Sequence, residues 1–359
     1  MHRTISFPHM ANYHVPIEIL LKFIFDDATI LPPPPITKKT LELGSRYSPD
    51  FVCVPFKYNL GNFIETLENG ANILVQAGGG CRFGFYGELQ AQILKDLGYE
   101  FEFITLTNLS DMPSLYKTIK RLGSSLSFSK FIYYTLLSMT MVKIIDKFEF
   151  YIRKNVGFEV VPGSFTNLKK DFFNELRNIK SFRKLFLIYR RYNKKLKYIK
   201  IDKPIDCLKV GMIGELYTLM EPYSNYYMEK ELAKNSISVS RFITVSYLLF
   251  EKGFTDKFTL KKAGKYLKYL IGADGADSVY RAKELSELGY DGIIHVKPFG
   301  CTPEINAIPS LQNISNDYNI PILYFSFDSQ TSETGIKTRL EAFHDMLLQR
   351  KEKQCKLDS

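Results

Sequence analysis

Short apolar runs and longer amphipathic stretches alternate through the first hundred residues. Thr4-Ile5-Ser6-Phe7 reads as a brief strand ended by Pro8. Tyr13 to Phe25 then places Ile17, Leu20, Leu21 and Ile24 at helical spacing. The run Pro32 to Pro35 excludes helix and predicts a stiff extended connection. Leu60 to Glu68 reads as a helix, and Ile73-Leu74-Val75 as a buried strand. A glycine-rich turn, a helix from Glu88 to Leu97, Gly98 and a strand from Phe101 to Leu106 follow. Strands and helices alternating at this spacing predict a parallel α/β sheet, whose ligands bind beyond the carboxyl ends of the strands.

From Asn108 to Asp202 the pattern turns to long helical stretches rich in Phe, Tyr, Lys and Ile, broken at Gly157 and Pro162-Gly163. Strand-turn-helix order resumes at Cys207 to Glu215. It continues through a strand at Ile237, a helix from Ser278 to Leu288, strands at Gly292–Val296 and Ile320–Phe327, and a helix from Thr338 with a tail expected to fray past Lys351. The expected fold is α/β, with two Rossmann-like parallel-sheet domains, a helical lobe inserted between them and the site at the inter-domain crevice. Residues 1–107 form the first domain, 108–202 the basic lobe and 203–359 the second domain.

Composition changes this picture little. With 45% hydrophobic and 24% charged residues, the chain has the profile of a folded protein. The longest apolar run, Phe131 to Val142, is about 12 residues where roughly 20 are needed to span a bilayer, so a buried helix is expected. No N-terminal signal pattern is evident in Met1 to Pro8, and a cytoplasmic location is expected. Charge is uneven: residues 168–200 hold twelve Lys and Arg against Asp171 and Glu175, an excess of ten that equals the +10 of the whole chain. Aromatic side chains interleave with those cations. The segment suits nucleic acid, a membrane surface or an acidic partner, or else it is the solvated face of an amphipathic helix pair.

The cysteines carry the chemistry. Cys81 follows Gly78-Gly79-Gly80 at a strand-to-helix turn, with Arg82 beside it, and a helix N-terminus and a neighbouring cation both favour thiolate. Cys53 lies between an extended segment and a helix. Cys301 follows the strand Gly292–Val296 through Lys297-Pro298-Phe299-Gly300. Five cysteines are too few, and odd in number, for a disulfide framework. Separations of 28 and 220 residues match no linear zinc-finger spacing, so any convergence is tertiary. Cys207 and Cys355 lack the glycine-turn context and are expected to be non-ligands. Three thiolates at helix N-termini suit an iron-sulfur cubane; zinc, or a Cys-His pair with His295, are the alternatives, and histidine is scarce.

Several runs resemble a known family: Ile5-Ser6-Phe7-Pro8-His9-Met10, Cys53-Val54-Pro55-Phe56-Lys57, Gly80-Cys81-Arg82-Phe83-Gly84-Phe85-Tyr86-Gly87, Gly214-Glu215-Leu216-Tyr217-Thr218, Pro298-Phe299-Gly300-Cys301-Thr302-Pro303-Glu304 and Thr338-Arg339-Leu340-Glu341-Ala342-Phe343. They are similar to the acyl-CoA dehydratase activase-related proteins, relatives of the 2-hydroxyglutaryl-CoA dehydratase subunits, over nearly the whole chain. Gly80 stands where that family commonly has proline. The resemblance implies an oxygen-sensitive [4Fe-4S] cluster of anaerobes on Cys53, Cys81 and Cys301. It also implies low-potential electron transfer or reductive chemistry on an acyl-CoA thioester, fed by an ATPase activase of the sugar kinase/Hsp70/actin superfamily. Some larger members of that group carry such ATPase modules ahead of the region matched here, and ATP hydrolysis by this chain itself is not expected.

Lys57, Gly79, Gly80, Arg82, Glu215, Tyr217, Gly300 and Glu304 lie in the family-like turns and are candidates to line the crevice or to bond the ligand sulfurs; ordinary capping and turn chemistry is the competing reading. No catalytic residue is assigned. A non-catalytic cluster carrier or assembly protein is the alternative function, and nucleic-acid binding through the basic lobe is a third, less favoured one.

Overall fold

The computed structural model describes residues 2–78, 81–106 and 111–358, leaving out the side chains of 253–256 and 354–358. Gly79, Gly80 and the thiol of Cys355 therefore lie outside the described part of the chain. Two compact units emerge. Unit 1 comprises Met1–Ile145 and Phe173–Tyr189, and unit 2 comprises Asp146–Phe172 and Arg190–Ser359. Each is built on a four-stranded, wholly parallel sheet, as the alternation of strands and helices predicts.

In unit 1, β1 (Thr4–Ser6), β2 (Thr29–Ile30), β3 (Ile73–Ala77) and β4 (Glu102–Leu106) lie in the order β2-β1-β3-β4. The pleat divides β3 between two cores. Ile73 and Val75 pack with Ile5, Phe7, Leu21 and Ile24 on one face, while Leu74 packs with Phe56, Leu60, Phe63 and Ile64 on the other. A strand buried on both faces needs an unbroken apolar run, which is why Ile73-Leu74-Val75 stands out in the sequence. The helix Val54–Glu68 presses against the helix Lys38–Tyr47 through paired glycines. A Cβ on Gly61 would lie 1.9 Å from the Thr40 carbonyl oxygen, and one on Gly44 would lie 1.7 Å from that of Lys57.

Unit 2 repeats the plan. Its strands β5 (Lys209–Gly214), β6 (Ser238–Arg241), β7 (Gly292–Pro298) and β8 (Ile322–Phe327) lie in the order β6-β5-β7-β8. Ile213 and Ile293 pack under the helices Gly275–Glu287 and Thr302–Asp317 through Val279, Leu285, Ala307 and Leu311. The last helix spans Glu333–Asp358, so it starts earlier than its apolar spacing suggests and stays helical through the tail expected to fray.

The helices of 112–198 are divided between the two units. In unit 2 they are tied down by charge. Glu149 is buried and bonded to Arg153 at 3.2 Å and Lys169 at 2.7 Å. Arg153 and Arg241 of β6 both reach Glu229, at 3.8 and 3.1 Å. Burial pushes the Glu149 carboxyl up, but Lys169 and Arg153 more than offset it and hold it at about 2. The stretch Phe131–Val142 falls within a longer helix, Phe128–Asn155, in which Phe131 and Leu137 are buried but Tyr133 and Leu136 face outward. No helix among the described residues is long and apolar enough to cross a membrane.

Close approach matters most at the end of β5. Gly214 has φ +135°, and a Cβ there would sit 1.8 Å from the Val296 carbonyl oxygen of β7. Backbone strain and overpacking each cost about 1–3 kcal/mol, so Gly214→Ala is expected to destabilise the chain by about 3 kcal/mol. The check is the urea midpoint; a variant as stable as wild type would contradict the packing described.

Candidate functional site

In an open parallel sheet, ligands bind at the carboxyl edge where the strand order reverses. That point falls between β1 and β3 in unit 1 and between β5 and β7 in unit 2. A helix that leads into a parallel strand, or directly follows one, runs antiparallel to it and so starts at that same edge. Cys53 is the N-cap of Val54–Glu68, the helix leading into β3. Cys81 follows β3 and caps the 3-10 turn Arg82–Phe85, which runs directly into the helix Tyr86–Asp96. Cys301 follows β7 and is the N-cap of Thr302–Asp317. Cys53 and Cys301 are half-buried and Cys81 is exposed. Cys207 is buried ahead of β5, away from this pattern.

Unit 1 brings two of the three cysteines to its carboxyl edge. The Cys53 sulfur lies 3.1 Å from the Tyr86 hydroxyl, and Cys81 Sγ accepts the Phe83 N–H at 3.5 Å. Burial pushes the Tyr86 phenol far up and the neighbouring Cys53 sulfur adds to it, while Arg82 pulls the other way. The hydroxyl also has a hydrogen bond to the Cys53 backbone, which pulls the other way as well. Lys57 is half-buried in the first turn of the Cys53 helix, and Arg82 is exposed beside Cys81.

In unit 2 the edge carries one thiol and a set of charged groups. Glu215 follows β5 and caps the short helix Leu216–Met220, accepting from Tyr217 N, Thr218 N and Thr218 Oγ1 at 2.8–2.9 Å. Tyr217 is buried. Asp274, N-cap of the helix leading into β7, accepts from Leu216 N at 3.1 Å and pairs with Lys252 at 2.5 Å; Asp277 pairs with the same lysine at 3.0 Å. Burial pulls the Lys252 ammonium down, but Asp274 and Asp277 more than offset it. Burial and then the Asp274 charge raise Glu215 to about 7.

Around Cys301, Gly300 adopts φ +75° to turn the chain into the helix. Glu304 is fully buried, accepting from His295 Nε2 at 2.6 Å and from Ser278 at 3.2 Å. His295 is thus a core histidine held by a carboxylate. Lys297, 6% exposed, has its ammonium pulled down by burial, with Cys301 and Glu304 opposing that pull.

Lys297, Asp274 and Tyr86 are the groups that the motifs did not single out. Tyr86 and Lys297 lie inside the quoted runs, and period-2 counting from His295 places Lys297 on the Cys301-helix side of β7. Asp274 has no local signal except a Gly-Ala-Asp-Gly turn before a helix. Among the described residues, no group of three or more His, Cys, Asp or Glu side chains is gathered as a metal site.

Fold and edge together define a doubly wound, parallel α/β protein with thiols at its helix N-termini. Residues 276–347 match the family model described as 2-hydroxyglutaryl-CoA dehydratase, D-component. This match spans the helix before β7, the Cys301 turn, β8 and part of the last helix, and supports a relation to the 2-hydroxyacyl-CoA dehydratases. No curated protein matches the chain.

A raised carboxyl has a testable sign. Glu215 ionises near 4.5 in an unfolded chain and near 7 in the folded one. Its contribution is therefore fully present below pH 4.5 and is lost as pH rises toward 7, by roughly 1.4 kcal/mol at most per pH unit in that window. Relative to Glu215→Gln, wild-type stability should decline across pH 4.5–7 and then level off. Urea midpoints measured on both proteins check this, and a constant difference would contradict it.

Proposed function

We propose that this chain is an iron-sulfur protein related to the 2-hydroxyacyl-CoA dehydratases, holding a [4Fe-4S] cluster on Cys53, Cys81 and Cys301 and working in low-potential electron transfer. The observation that carries the reading is the family match, which includes the Cys301 turn, joined to the recurrence of the same strand-turn-thiol-helix plan at Cys81. The donor chemistry fits. The Cys81 sulfur accepts the Phe83 N–H, the Cys53 sulfur lies 3.1 Å from the Tyr86 hydroxyl, and a buried lysine couples to Cys301. Thiolates placed this way bind soft metal, and such hydrogen bonds tune it.

When bound, such a cluster supplies single electrons at low potential. The chain's own residues hold the sulfurs at helix N-termini, place Tyr86 against Cys53, and set Lys297 and the Glu215–Asp274 pair beside the unit 2 edge. Lys57, Arg82, Tyr217 and Gly300 complete the turns around them. An acyl-CoA thioester is the substrate class, and an ATPase of the activase type is the electron donor. The exposed cations of the helix Phe182–Tyr198, among them Arg183, Arg190, Arg191, Lys194 and Lys195, offer an acidic partner a face.

The test is anaerobic reconstitution with iron and sulfide counting, then EPR of the dithionite-reduced protein. About four irons and four sulfides per chain are expected, lost in Cys53→Ala, Cys81→Ala and Cys301→Ala and retained in Cys207→Ala. Wild-type protein that takes up no iron would sink this reading.

A further inference from the structure

The helix Phe182–Tyr198 is packed through Leu185, Ile188, Tyr192 and Leu196, all buried at helical spacing. Its opposite face is cationic: all seven Lys and Arg of the helix are exposed, and the helix holds no acidic residue. Two large apolar side chains break that pattern. Phe186 and Leu187 are exposed, Leu187 at 58%, although four other side chains already pack the helix. Leu187 falls in line with Arg183, Arg190 and Lys194, so cations precede and follow it on the same stripe. Phe186 stacks on Phe182 with centroids 6.5 Å apart, and Phe182 meets Tyr133 edge-on at 5.2 Å. Tyr133 and Leu136, one turn apart on the helix Phe128–Asn155, are exposed as well. These five side chains link two helices into one apolar patch within unit 1, and Lys130, Arg183 and Lys184 are exposed on the same helices.

We infer that this patch docks on an anionic lipid bilayer, with Leu136, Phe186 and Leu187 entering the interfacial layer and the cations of Phe182–Tyr198 lying at the headgroups. An exposed cationic face without acids attracts any polyanion, so the apolar side chains select among them. Nucleic acid would use the cations and the aromatic rings, but Leu136 and Leu187 offer no face on which a base can stack. An acidic protein surface would meet the cations and leave the leucines against polar groups. A bilayer uses both sets at once: apolar side chains enter the acyl boundary, and negative charge lies just above them, within reach of the flexible stems of Lys and Arg. Such docking is peripheral and requires no spanning helix; none occurs among the described residues. The inference stands apart from the proposed cluster, because no residue in the patch is a thiol or contacts one of the three cysteine turns in its argument.

The experiment sediments the full-length chain with sucrose-loaded vesicles of phosphatidylcholine alone and of phosphatidylcholine mixed with phosphatidylglycerol. Binding is expected to the anionic vesicles and not to the neutral ones. It should weaken steeply between about 0.1 M and 1 M salt, where the screening length shrinks from about 10 Å to about 3 Å. The double variant Phe186→Ser/Leu187→Ser keeps every charge and alters only exposed positions. Its partition coefficient on anionic vesicles should be about tenfold lower, while its retention on heparin stays that of wild type. Arg183→Glu/Lys184→Glu should weaken vesicle and heparin binding together. Wild-type protein that ignores anionic vesicles overturns the inference, and tight binding to single-stranded RNA in that case assigns the face to nucleic acid. Equal vesicle binding by wild type and the serine variant also overturns it, since charge alone would then account for the attraction. Iron counting is a separate measurement, so the cluster and the lipid surface can each fail with the other standing.

Discussion

The parallel direction of the strands is the constraint on which the rest of this protein depends. A helix that leads into a strand of a parallel sheet must end at that strand's amino edge, so the helices entering β3 and β7 start at the carboxyl edge. Residues far apart in sequence are thereby brought to corresponding places without any local signal of their own. Cys53 and Cys81 come to one edge because one caps the helix that enters β3 and the other caps the turn that leaves it. Cys301 holds in unit 2 the place that Cys81 holds in unit 1, after the third strand of its sheet. Partial positive charge at each helix start then favours the thiolate.

Most of this architecture was legible in the sequence because its signals are local. Apolar runs bracketed by glycine and proline marked β3, β4, β5 and β7, and three cysteines at turn boundaries marked the helix starts. The division of the chain between 108 and 202 was not legible in the same way. Those helices are amphipathic, and amphipathicity says that a face is buried without saying against what. Which unit receives which helix depends on partners such as Glu229 for Arg153 and Lys169 for Glu149, pairings between distant segments that no window of residues contains. The same holds for Tyr86: its bond to Cys53 joins residues 33 apart, so the motif around Cys81 displays the tyrosine but not its partner.

Buried polar groups in this fold divide into those that hold it and those left for chemistry. His295 and Glu304 bond each other in the core, and Glu149 is held between Arg153 and Lys169. Breaking either would strand a charge or a polar atom, which is why such groups are costly to change and poor candidates for turnover. Glu215 differs. It keeps three donors at the helix start and yet is raised to about 7 by burial and by Asp274, so its proton is exchangeable near neutral pH.

The repeated strand order also shows how unequal the two edges have become. Where unit 1 places Cys53, unit 2 places Asp274, and where β1 runs into Pro8 and His9, β5 runs into Glu215. One edge is rich in soft donors. The other is rich in groups that carry charge or protons, with Lys252 clamped between Asp274 and Asp277 and Lys297 buried near Cys301. A charge in a poorly solvated site is costly unless an opposite charge or a transferable proton lies close. In unit 2 that requirement is met within one edge, by Asp274 and Asp277 around Lys252 and by the raised Glu215 carboxyl beside Asp274. One topology thus carries two thiols at the edge of one copy and, in the other, one thiol among groups that balance charge between themselves.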